Sequence, residues 1–145
     1  MQEGLRIRGG FPEDWEKILP LFRQLYHGDI GPNLQEVFVN LARGVGSCVL
    51  VAELKEKFVG TSIGNYCIDL DWEGKIARLQ AIIVDEEYRN RGIGEALLHR
   101  FLVRAKQSGC RVVVARVNRE NMKGSSFFEK LNFEEIGTSE YVLEF

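Results

Sequence analysis

This chain reads as an α/β (α+β) domain, a mixed sheet with helices packed on it. Three observations lead to that class. Apolar runs rich in β-branched residues alternate with stretches of helical periodicity along the chain. The length of 145 residues suits a single domain, residues 1–145, able to bury a core without a metal or disulfide staple. A composition of 45% hydrophobic and 28% charged residues is that of a globular protein, not of a disordered or fibrous one.

The elements follow in order. Leu5 and Ile7 alternate with Arg6 and Arg8, which predicts a short opening strand. Pro12 suits a helix's first turn, with Glu13 and Asp14 at its positive end. Trp15, Ile18, Leu19, Phe22, Leu25 and Tyr26 recur at helical spacing, and Pro20 within them should kink or shorten the helix. Gly28, Gly31 and Pro32 break it. A weaker helix over 33–43 carries Leu34, Val37, Phe38 and Leu41 on one face. Three strands of a meander follow, Ser47–Leu54, 58–69 and 75–84, separated by polar turns. Residues 92–108 form a strong helix with Leu97, Leu98, Phe101, Leu102 and Ala105 inward and Gly109 as its stop. A buried strand over 111–117, a short helix over 121–131 and a hairpin of 134–138 with 141–145 close the order β-α-α-β-β-β-α-β-α-β-β.

Several function classes are excluded or disfavoured. The net charge of −2 gives no whole-chain case for nucleic-acid binding, so no nucleic-acid partner is expected. That balance is uneven. Residues 88–119 carry Arg89, Arg91, Arg100, Arg104, Lys106, Arg111, Arg116 and Arg119 against Glu95 alone, or +7, which leaves −9 elsewhere. No run of 18 apolar residues exists and the first ten residues hold no apolar leader core, so neither a membrane span nor secretion is expected. Cys48, Cys67 and Cys110 are odd in number and widely spaced, which predicts small buried hydrophobes and no metal site. A cytoplasmic, reducing location fits these features.

The informative segment is IIVDEEYRNRGIGE, residues 82–95. An apolar strand ends, a polar loop follows, and a helix begins at Gly92 and Gly94. Missing Cβ atoms let backbone N–H groups approach a ligand. The first N–H groups of the helix lack internal partners, and the helix dipole adds positive charge there. Arg89 and Arg91 supply two full charges. The arrangement suits a diphosphate; glycines alone would equally suit a tight strand-to-helix turn. A Walker A loop is excluded, since no GxxxxGK(S/T) string exists. A dinucleotide fingerprint is excluded too, because the order is RxxGxG and the loop lies past mid-chain.

Arg89-x-x-Gly92-x-Gly94 matches the (Q/R)xxGx(G/A) signature of the GNAT family, the acetyl-CoA-dependent N-acyltransferases. Residues 121–133, NMKGSSFFEKLNF, are similar to that family's later Nxx(A/G)xx(L/F)YxxxGF motif. The element order agrees from Leu5 to Phe145, so the chain resembles the family over nearly its whole length. The resemblance implies a mostly antiparallel sheet whose fourth and fifth strands splay apart. It implies acetyl-CoA as cosubstrate, an amine acceptor and, as in many family members, a homodimer. The backbone of Ile82, Ile83 and Val84 would then meet the pantetheine arm, with the Ile82 N–H on the thioester carbonyl. The N–H groups of Asn90, Arg91, Gly92, Ile93, Gly94 and Glu95 would hold the pyrophosphate, with Arg89 also a cofactor-binding residue. Asn121 and Phe128 would contact the cofactor or brace the splay.

The resemblance also leaves the catalytic groups open. The family's usual acid residue on the fourth strand is replaced by Arg78 or Gln80, and its thiolate-protonating Tyr by Phe128. Orientation of the amine alone could suffice. Tyr26, His27, Asp29 or Tyr141 could act as substitutes, although each also has a plain structural explanation in a helix stripe, a turn or a strand. The chain could instead bind acyl-CoA as a sensor without turning it over.

Overall fold

A computed structural model describes residues 2–118 and 121–145. Its regular elements are β1 (Arg6–Gly9), α1 (Trp15–Leu25), α2 (Leu34–Arg43), β2 (Ser47–Leu54), β3 (Lys57–Asp69), β4 (Gly74–Val84), α3 (Ile93–Gln107), β5 (Val112–Ala115) and α4 (Met122–Lys130). Single 3-10 turns, Pro12–Asp14 and Glu86–Tyr88, lead into α1 and follow β4. The chain forms two compact units, one ending at Ala115 and one beginning at Arg116.

The first unit holds a five-stranded sheet in the order β1-β2-β3-β4-β5. The first four strands form an antiparallel meander, and β5 runs parallel to β4 after the α3 crossover. The mixed, mostly antiparallel sheet of the sequence reading is therefore present. Adjacent strand residues point to opposite faces. Ile63 joins Trp15, Ile18, Leu21, Phe22 and Phe38 in the core beneath α1 and α2. Its neighbour Gly64 faces the other way, towards Phe101 of α3. Trp15 packs on Phe22 and Phe38 with ring centroids 5.9 and 5.7 Å apart, which fixes α1 against α2.

Helix α1 continues past Pro20 to Leu25, so the proline does not shorten it. Pro20 lies on the exposed face, so the carbonyl it leaves without an N–H partner can meet water, while Ile18, Leu21 and Phe22 keep the buried stripe continuous. Arg8 ties β1 to the start of that helix through two bonds to Asp14, 2.9 and 3.0 Å, and one to Glu53 at 2.7 Å. Cys48 is buried; Cys67 and Cys110 are only half-buried, and all three are free thiols. Burial pushes the Cys48 and Cys110 thiols up, away from the reactive thiolate. No helix among the described residues is long and apolar enough to cross a membrane.

The second unit contains α4, capped by Asn121, whose side chain accepts the Gly124 N–H at 2.9 Å. The closing hairpin expected over 134–138 and 141–145 is not formed: residues 134–145 carry no strand. A strand requires a ladder partner. Here Tyr141, Val142, Leu143 and Phe145 remain exposed, so no apolar face of this segment is buried. The strand expected over 111–117 is shorter, Val112–Ala115. Arg119, counted in the basic segment, lies outside the described residues.

Candidate functional site

The site begins where β4 outlasts its neighbour. The β4–β5 ladder runs from Ile76↔Val112 to Leu79↔Ala115 and stops. Strand β4 continues through Val84, so Gln80 to Val84 have no β5 residue beside them. The register with β3 also shifts there: Ile63 faces Ala81 and Gly64 faces Leu79, which leaves Gln80 as the extra residue of a β-bulge. A bulge increases local twist, and it falls where the two parallel strands cease to pair.

The direction of the free edge follows from one hydrogen bond. The Asp85 N–H donates to Val59 of β3 at 2.8 Å. With a two-residue period, Ile83 also turns its amide towards β3, and Ile82 and Val84 turn theirs to the uncovered side. The Ile82 N–H therefore faces the open edge, a donor aimed at whatever lies along β4.

Beyond Val84 the chain builds a concavity. The Asp85 side chain accepts the Glu87 N–H at 3.0 Å and caps the 3-10 turn. Asn90 and Gly92 then take positive φ values of 63° and 80°. Left-handed residues within a turn let successive N–H groups converge into a cradle for anions. Gly92 is the N-cap of α3, and the first bond back to it comes from the Ala96 N–H, 3.0 Å from its carbonyl. The N–H groups of Ile93, Gly94 and Glu95 precede that bond and have no carbonyl within the helix to meet. They point out of the helix at its positive end.

The arginines are less extended than their charge suggested. Arg89 Nε donates to the Val84 carbonyl at 3.2 Å, and Arg91 lies over the Tyr88 ring, 4.9 Å from its centroid, with Nη2 on the Glu87 carbonyl at 3.4 Å. The Val84 carbonyl expected to meet a ligand is thus already held by Arg89. In the polar loop Asp85-Glu86-Glu87 the first residue is buried. Lys57 Nζ sits 3.5 Å from Asp85 and 4.0 Å from Glu87. Gln24 of α1 accepts the Glu86 N–H at 3.0 Å. Neither Lys57 nor Gln24 was found from the sequence, because these contacts join residues about 30 and 60 positions apart. Asp85 could have been found: an Asp two residues before a backbone N–H at the end of an apolar strand is a capping signal.

Of the candidate proton-relay residues, Tyr26 and Asp29 line one open depression of about 280 Å3, together with Gly31, Pro32, Asn33, Leu34 and Val37 between α1 and α2. Tyr26 is exposed, not a core residue as its place on the helix stripe suggested. It stacks on Phe22 just past the helix end. His27, at φ 54°, is exposed and does not line the depression. Gln80 donates from Nε2 to Asn65 Oδ1 at 2.7 Å, and Arg78 pairs with Asp69 at 3.6 Å. In the second unit Phe128 packs edge-on against Phe127 and Phe133, at 5.2 and 5.1 Å. Tyr141 is almost fully exposed there.

Fold and loop together define a class: a mixed-sheet domain whose fourth strand outruns its parallel neighbour and leads into a helix N-terminus. The profile of the Acetyltransferase (GNAT) family matches residues 15–133, and the chain belongs to that family. It is 35% identical over 81 residues to an N-acetyltransferase of Methanocaldococcus jannaschii, covering 52% of this chain and 36% of that protein. It is 35% identical over 96 residues to N-acetyltransferase 8B of Homo sapiens, covering 65% and 41%. The chain thus spans about two fifths of the length of these relatives. Among solved structures, an aminoglycoside N-acetyltransferase in complex with CoA aligns over 97% of this chain and 94% of its own, with a TM-score of 0.87 and 18% identity. A ribosomal-protein-alanine N-acetyltransferase from Brucella melitensis aligns over 97% and 99%, with a TM-score of 0.78 and 19% identity. At such identities these two neighbours establish the fold.

Proposed function

We propose that this chain is an acetyl-CoA-dependent N-acetyltransferase, which moves the acetyl group directly to a primary amine while both substrates are bound. The observation that carries the reading is the uncovered edge of β4, from Gln80 to Val84, leading into the N–H cradle at Gly92. An extended pantetheine arm suits such an edge, and a diphosphate suits the cradle.

The chemistry follows from the same groups. The amine nitrogen bonds to the thioester carbon, and negative charge develops on the carbonyl oxygen. The Ile82 N–H, fixed in the strand, stabilises that charge without reorganising. The carbon–sulfur bond then breaks, and the thiolate leaves readily because a thiol has a pKa of about 8.5. The proton lost from nitrogen passes to water or to a group on the acceptor side. Tyr26 and Asp29 are the candidates for that role, a reading supported by the open depression they share. The acceptor is assigned as a primary amine entering beside α1 and α2. The two structural neighbours are named for an aminoglycoside and for a ribosomal-protein alanine, unlike carriers on one fold, so no narrower acceptor class is drawn from them.

A second reading, an acyl-CoA sensor, is favoured by one observation. Phe128 has no proton to give, and it packs within an aromatic trio. Free-thiol release from acetyl-CoA across a panel of primary amines separates the two. Amine-dependent release, with no acetylated enzyme formed in the amine's absence, is expected. CoA binding without release on any amine would establish the sensor. Gly94→Trp is expected to abolish CoA binding while leaving the circular dichroism spectrum intact.

A further inference from the structure

Resting on the proposed diphosphate cradle, we infer that Lys57 is a positioning residue for that cradle, acting through Asp85, Glu87 and Tyr88. The segment before the cradle presents an electrostatic difficulty. Asp85, Glu86 and Glu87 place three carboxylates just ahead of the N–H groups that would receive an anion. Like charges at this separation repel a diphosphate unless they are neutralised.

Lys57 neutralises two of the three. It opens β3 just after the Lys55–Glu56 turn, where both turn residues have positive φ, 48° and 67°, so the hairpin is tight and its direction set. Its ammonium lies 3.5 Å from Asp85 and 4.0 Å from Glu87. Asp85 is 6% exposed, and its other oxygen already accepts the Glu87 N–H. Without Lys57 that carboxylate would be a buried charge with no cation beside it, which is costly. The same ammonium sits over the Tyr88 ring at 5.1 Å, and the ring also carries the Arg91 guanidinium at 4.9 Å. Lys57 therefore fixes the first residue of the segment and the ring on which Arg91 rests, one residue before Gly92. It reaches these groups without entering the cradle itself.

The test compares acetyl-CoA with S-acetylpantetheine, which has the thioester and the arm but no diphosphate. Lys57→Met is expected to raise the KM for acetyl-CoA about fivefold, a modest factor because the lysine is half exposed. The kcat, the acceptor KM and the kcat/KM for S-acetylpantetheine should stay within about twofold of wild type, on the same reasoning. Lys57→Arg should restore the acetyl-CoA KM. In an Asp85→Asn background, where the cap acceptor is kept and its charge removed, Lys57→Met should cost less than it does alone. An unchanged acetyl-CoA KM, or an equal loss with both donors, would overturn the assignment. CoA calorimetry separates it from the reading beneath it. If Gly94→Trp binds CoA like wild type, the cradle fails and Lys57 with it. If Gly94→Trp loses CoA while Lys57→Met binds normally, only the role of Lys57 falls.

Discussion

Asp14 shows how one buried carboxylate organises the start of the fold. Burial pushes its carboxyl up, but hydrogen bonds from Arg8 and the Phe11 N–H, with the charges of Arg8 and Lys17, pull it further down, to a net value below the usual carboxylate range. A carboxylate depressed in the folded state contributes stability above its unfolded pKa of about 4, and that contribution is lost as pH falls through the folded value. Asp14→Asn should therefore cost about 1–3 kcal/mol at neutral pH, since it strips Arg8 of a charged partner. The gap between variant and wild type should narrow below about pH 4. Urea denaturation at both pH values measures this; a gap independent of pH would contradict it. The residue scale is also where reading from sequence succeeded and failed most sharply. Gly92, Gly94 and the free N–H groups of α3 were legible, because a strand–loop–helix junction is written in consecutive residues. Lys57 and Gln24 were not legible, because their partners come to them only when the sheet and α1 have formed. Tyr26 misled because it continues the apolar stripe one residue beyond the helix that would have buried it.

At the scale of elements, α3 and β3 depend on close approach. A Cβ built on Gly64 would lie 2.5 Å from the Arg78 carbonyl and 2.5 Å from the Phe101 ring. The first contact is backbone of the neighbouring strand, which cannot swing aside. Gly64→Ala is expected to destabilise the protein by about 1–3 kcal/mol, the range for overpacking. Thermal or urea unfolding checks it, and a neutral result would mean that both β4 and α3 can give way at no cost. Strand positions were legible to within a residue or two across β2, β3 and β4, because long alternating runs bounded by polar turns leave little choice of register. The β-bulge at Gln80 had no sequence signal, since nothing in RLQAIIV marks which residue drops out of the ladder. The hairpin expected over 134–145 failed for the opposite reason. Tyr141, Val142 and Leu143 are strand-forming residue types, but a strand needs a ladder partner, and among the described residues none pairs with them.

For the whole molecule, the charge asymmetry acquires a location. The basic segment, residues 88–119, includes the cradle and α3, while the acidic excess is spread over the rest. A ligand carrying phosphates should bind more weakly as ionic strength rises, since exposed charges are screened within about 10 Å at 0.1 M salt. The sheet adds a different consequence. Its outermost strands, β1 and β5, have four residues each, and β1 carries Arg6 and Arg8, so both rims are poor templates for another chain. The run of Gln80 to Val84 is the exception: an apolar stretch of β4 whose amides are not all used. What receives an extended ligand can equally receive an extended strand from a misfolded neighbour. Under the proposed function, CoA lying along this edge would also shield it from such pairing. Saturating CoA, at about 100 times its Kd, should stabilise the fold by about 2.7 kcal/mol. It should also raise the temperature at which light scattering begins by more than the unfolding midpoint moves, because filling the edge blocks aggregation as well as unfolding.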